Sequence, residues 1–145
     1  MKRELNTRLL SLILLVVLLV AAAMTFEGCT KPTPPGEATI IEEKTLGTGQ
    51  TTISFMMVNS ANEAILHTIH TDATTLREAL VEHGLISGQE SIYGLNVDTV
   101  CGIRADYTLD GAWWQLYIGQ TPAPTGVDGV TIEDGGEYSF VHTPA

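Results

Sequence analysis

Two histidines and an aspartate fall together in His67-Thr68-Ile69-His70-Thr71-Asp72, a grouping with metal-ligand residue types. In a strand, residues three apart face opposite ways, so His67 and His70 can chelate together only if this segment is a loop. The surrounding residues favour a strand, and no metal site is expected. His83 and His142 have no evident partner in the sequence. Asp106, Asp110, Asp128, Glu133, Asp134 and Glu137 all sit at or near glycine-bounded turns, where acids commonly hydrogen-bond the local backbone. An acid–base pair of the glycosidase kind would need two of them to meet in space. The Glu133 to Glu137 turn lacks the regular oxygen spacing of a calcium loop. There is no phosphate-binding glycine loop, no GxSxG and no cysteine–histidine pair at a recognised spacing. No enzymatic activity has a supporting motif, so neither catalysis nor a required cofactor is expected.

The strongest chemistry lies in Ala112 to Ile118, AWWQLYI. As a strand it places Trp114, Leu116 and Ile118 on one face and Trp113, Gln115 and Tyr117 on the other. The first set is apolar and belongs in a core. The second, two large aromatics flanking an amide, is a platform suited to a planar ligand or a protein partner. The alternative is that both tryptophans are buried, one under a helix and one under the loop Thr121 to Gly129.

Elements must hold that strand in place. Thr51 to Val58 alternates Ile53, Phe55 and Met57 onto one face, and Asn59 to Asn62 supplies a turn into a second strand, Ala64 to Thr71. Thr75 and Glu78 form a capping box, Leu76, Ala79, Leu80 and His83 follow at helical spacing, and Gly84 stops the helix so that Leu85 folds back on Leu80. A polar loop is expected at Gly88 to Ser91, then strands within Tyr93 to Ile103, Ala112 to Ile118, Val130 to Ile132 and Glu137 to His142. Two strands, a helix and three or four strands predict an α+β, β-grasp-like domain, with one helix packed on a curved, largely antiparallel sheet.

Upstream lies a basic start (Lys2, Arg3, Arg8) and then Leu9 to Met24, 16 residues with Ser11 as the single polar member. As a helix this run measures about 24 Å against a hydrocarbon core of about 30 Å, short for a span. It reads as a secretory signal over 1–28, cleaved near Ala21 to Ala23 or between Gly28 and Cys29. Gly28-Cys29 resembles the lipobox of bacterial lipoproteins, although Phe26 and Glu27 depart from its usual residues. Lipidation of Cys29 is expected, with simple secretion and an uncleaved anchor helix as alternatives. Residues 29–46, with Pro32, Pro34 and Pro35, read as a semi-rigid linker and 47–145 as the domain. The expected location is the outer face of a bacterial membrane, or the medium if secreted. With Cys29 lipidated only Cys101 remains, so no disulfide framework is available and Cys101 reads as a small buried apolar residue. The net charge of −10, with 4 bases against 15 acids from Cys29 onward, excludes nucleic acid as a partner.

Tyr93-Gly94, the strand Val97 to Ile103, Trp113 to Tyr117, Gly126-Val127 and Asp134-Gly135 form a series of stations. It resembles the transcobalamin-like C-terminal domain, the small β domain of transcobalamin and intrinsic factor that also occurs in bacterial surface proteins. The resemblance spans about Thr51 to Thr143 and differs after the aromatic strand, where Ile118-Gly119 replaces the usual Asn-Gly. It implies binding of cobalamin or another corrinoid through Tyr93, Trp113, Gln115, Tyr117, Gly126 and Val127. The vertebrate carriers close such a site with a large helical barrel, for which this sequence has no room, so it implies half a site completed by a second copy or a transporter subunit. The sequence therefore points to surface capture of a planar ligand, or to a module that docks a transporter or other surface protein without a small molecule.

Overall fold

The structure, a computed structural model, describes residues 34–145. The leader 1–28, Cys29 and the start of the linker lie outside the described residues. Strand β1 (Thr39–Gly47) comes first, and β2 (Thr51–Val58) and β3 (Glu63–Thr71) form the expected antiparallel hairpin. The helix α1 (Leu76–Glu82) leads into β4 (Ile86–Ser91), β5 (Gly94–Val100) and the short β6 (Ile103–Arg104). A helical turn (Tyr107–Asp110) precedes β7 (Ala112–Ile118), β8 (Thr121–Pro122) and β9 (Glu137–Pro144).

These strands make a six-stranded sheet in the order β1-β3-β2-β9-β7-β8 and a three-stranded one in the order β4-β5-β6. Five of the seven pairings are antiparallel; β1 with β3 and β2 with β9 are parallel. The parallel β2–β9 pair joins the first hairpin to the last strand at the centre of the sheet, and one main helix covers one face. The fold is α+β, as the element order predicts.

The helix forms where its sequence signals place it. Thr75 Oγ1 accepts the Glu78 N–H at 3.3 Å, and the Glu78 carboxylate accepts the Thr75 N–H at 3.2 Å. Gly84 takes the left-handed conformation (φ 65°), which lets the Leu85 N–H donate to the Leu80 carbonyl at 2.9 Å. Leu76, Ala79 and Leu80 are fully buried over Ile53, Phe55, Ile69 and Phe140. Each large apolar side chain so buried contributes about 1.5–3 kcal/mol.

Three boundaries differ from expectation. Residues 39–46, read as linker, pair with β3. Their charges Glu42, Glu43 and Lys44 belong to an edge strand exposed on both faces, so no alternation marks it. Gly88 to Ser91, read as a polar loop, belongs to β4, whose side chains are solvated beyond Ile86. Val130 to Ile132 forms no strand, only a single bridge from Thr131 to Thr75. Among the described residues no helix is long and apolar enough to cross a membrane.

Candidate functional site

The edge of β7 faces β5 across a gap that the segment Thr125 to Val127 closes, leaving a cleft of about 190 Å³. Its lining includes Leu95, Asn96 and Val97 from β5, Gln115 from β7, and Gly126 and Val127 from the loop. A second cleft of about 250 Å³ shares Asn96 and Val97 and runs on past Arg104, Asp106 and Tyr107 to Trp113. The two clefts adjoin at these β5 residues, and the pair is termed the trough. Trp113 is 36% exposed at its rim and packs a tilted face on Tyr107, with ring centroids 6.0 Å apart.

Of the six residues singled out from the sequence, Gln115, Gly126 and Val127 line the first cleft and Trp113 lines the second. The other two do not. Tyr93 is 91% exposed, beside Ile92, at the tip of the β4–β5 hairpin and lines neither cleft. Tyr117 is buried on the face away from α1, among Val58, Ala64 and Val141, so the expected Trp113-Gln115-Tyr117 platform is cut short. The cause is a second apolar layer: Pro35 is buried there and Ala38 packs against this cluster, covering a face that would otherwise be open. Trp114 and Leu116 are in the main core as expected, while Ile118, at the strand end, is exposed. The Trp114 indole N–H donates to the Ile103 carbonyl at 3.2 Å, which ties β7 to β6.

Asp128, read from the sequence only as a turn residue, and Arg77, which that reading did not name, tie β5 to the loop beside the trough. Asp128 Oδ2 accepts the Leu95 N–H at 2.8 Å, and Oδ1 accepts Arg77 Nη1 at 2.6 Å; Arg77 Nη2 pairs with Glu90 on β4. The Arg77 guanidinium, with the Leu95 N–H, holds the Asp128 carboxyl below its usual range. Helix, hairpin and loop meet at one arginine, and a Cβ on Gly94 would strike the Asp128 carboxylate. Gly94 and Asp128, the residue after Gly126-Val127, thus share one contact. Tyr107 was also missed; Asp106, whose carboxylate accepts the Thr108 and Leu109 N–H groups at 2.9 and 3.1 Å, is the N-cap signal that would have shown its helical turn.

His67 and His70 project to opposite faces of β3. His67 is buried with its ring 5.8 Å from that of Phe55, and Nδ1 of His70 meets Thr52 Oγ1 at 2.9 Å. Among the described residues no three of His, Cys, Asp or Glu cluster as metal ligands. Asp72 and Asp134 accept the backbone N–H groups of Gln50 and Thr52 at 2.9 and 2.7 Å. Cys101 is half-buried against the core, and burial pushes its thiol up to about 11, so it stays protonated and a poor nucleophile at neutral pH.

No family model matches the chain, and no curated protein does. Solved structures share its fold. A candidate metal-binding protein from Ruminococcus gnavus ATCC 29149 superposes with a TM-score of 0.63 at 24% identity, over 66% of this chain and 99% of that one. Haptocorrin in complex with Cbi does so with a TM-score of 0.53 at 16% identity, over 68% of this chain and 26% of haptocorrin. The chain thus corresponds to about a quarter of haptocorrin, and at these identities the likeness is one of fold.

Proposed function

We propose that this is a ligand-capture domain that holds one face of a large, flat molecule of the corrinoid class along the trough between β5, β7 and the Thr125 to Val127 loop. The observation that carries this reading is that the two clefts adjoin at Asn96 and Val97, with an exposed indole, Trp113, lining one and Gln115 and Gly126 lining the other. Indole and tyrosine faces stack on flat conjugated ligands, and the amides of Asn96 and Gln115 suit a periphery of amide groups. The fold shared with part of haptocorrin, which was solved with Cbi, supports the choice of ligand class. A corrinoid is larger than the trough, so its outer face is left for a second copy or a transporter subunit. Export and lipid anchoring at Cys29 belong to the same reading and rest on the leader sequence. It involves no catalysis.

Titration with cobinamide is the test. Tryptophan emission falls saturably on binding, and Trp113→Ala weakens binding about tenfold or more while leaving the far-ultraviolet circular dichroism unchanged. Unchanged emission up to millimolar cobinamide overturns the reading for the isolated domain. A second reading, docking of a surface or transporter protein without a small molecule, is favoured by the hairpin tip, where Ile92 and Tyr93 are almost fully exposed. In that case Tyr93→Ala, and not Trp113→Ala, removes the interaction.

A further inference from the structure

The face of the six-stranded sheet turned away from α1 carries another cleft, of about 230 Å³, that the corrinoid reading does not use. Strand register shows how it is built. Ser54 pairs with Glu137, and Met56 pairs with Ser139 on one side and Leu66 on the other, so these five side chains rise as neighbours from one face. Pro35 and Gln120 close the rim, where the Gly36 N–H donates to Gln120 Oε1 at 3.1 Å.

Two features of this cleft point to a ligand. Ser139 is 2% exposed and its Oγ has no hydrogen-bond partner among the described residues, an unfavourable state for a buried hydroxyl. Glu137 contributes the cleft's one formal charge and makes no ion pair among the described residues. Between and around them the lining from Met56, Leu66 and Pro35 is apolar. Residues two apart on a strand are about 7 Å apart, so Glu137 and Ser139 set the spacing of two polar groups on one ligand. An anion is repelled both by Glu137 and by a chain of net charge −10.

We propose that this cleft binds a short aliphatic ammonium that carries a second hydrogen-bonding group about four carbons away. The ammonium meets Glu137 and Ser54 Oγ, the stem lies along Met56, Leu66 and Pro35, and the second group pairs with Ser139 Oγ. Four carbons between the two polar groups match the spacing of about 7 Å between Glu137 and Ser139.

The test uses the full chain labelled with methyl-¹³C methionine and titrated with 4-amino-1-butanol. The Met56 methyl resonance shifts saturably; that of Met57, its neighbour on the opposite, core-facing side and 2% exposed, does not. Glu137→Gln, which alters an exposed carboxylate that makes no ion pair among the described residues, raises the apparent Kd about tenfold or more, and Ser139→Ala raises it about three- to tenfold. Absence of a saturable Met56 shift overturns the proposal. So does equal affinity for 1,4-butanediol, which lacks the charge, or an apparent Kd unchanged by Glu137→Gln.

Discussion

Gly94 stands at φ 101° with the Asp128 carboxylate against its α-carbon, so a side chain there meets both an unfavourable backbone region and a collision. Gly94→Ala is expected to destabilise the domain by about 1–3 kcal/mol, read as a lowered denaturation midpoint, and to weaken binding in the trough because Leu95 and Asp128 shift together. His67 is the other residue whose environment has a measurable consequence. Burial, with Lys44 on the paired strand, depresses its pKa, so protonation favours the unfolded chain. Stability is therefore full above the unfolded value of about 6.5 and is lost as the pH falls from there through the depressed folded value. Denaturant midpoints measured across this window should decline for the wild type and stay flatter for His67→Leu. Both residue types were visible in the sequence. Neither environment was, because the Asp128 contact spans 34 positions and the Lys44 neighbour lay in a stretch read as linker.

Elements meet at Arg77, whose ion pairs with Asp128 and Glu90 bind α1 to the loop after Gly126 and to β4. These groups are solvated, so their contribution is one of positioning more than of global stability. Arg77→Met is expected to leave the helix intact while speeding hydrogen exchange at the Leu95 amide, which Asp128 holds. The same exchange should rise in the wild type under acid, since the lowered Asp128 pKa confers order that is present above about pH 3.9 and lost as the pH falls through the folded value. Unchanged exchange at Leu95 in the variant would show that the hairpin is held by apolar contact alone. The helix itself was legible because its capping box, apolar spacing and terminal glycine are all local signals. β4 was not, because an exposed polar strand has the composition of a loop and only its partner β5 reveals it.

At the scale of the whole molecule, the domain begins earlier than its composition suggests. β1 covers the edge of β3 along eight residue pairs, and Pro35 and Ala38 cover the apolar patch around Tyr117. A chain starting at Pro34 is expected to fold as a soluble monomer. One starting at Gly47 should show a lower thermal midpoint and concentration-dependent association, because the β3 edge and the patch are then open. Equal midpoints and equal elution volumes for the two would restore the boundary at 46.

Local chemistry in the sequence determined the first hairpin, the capped helix, the aromatic strand, the local turn role of Asp106, and the α+β class that their order implies. Each follows from residues within a few positions of one another, where backbone sterics and short-range hydrogen bonds decide the outcome. Tertiary structure decided which face of the aromatic strand stays open. Alternation correctly placed Trp113 and Tyr117 on the same face, but only the return of Pro35 to Ala38 across the sheet buries Tyr117 while Trp113 remains at the rim of the trough. Such coverage depends on contacts between segments about 80 residues apart, as in the Gly36–Gln120 hydrogen bond, and periodicity within a strand carries no record of what lies above it.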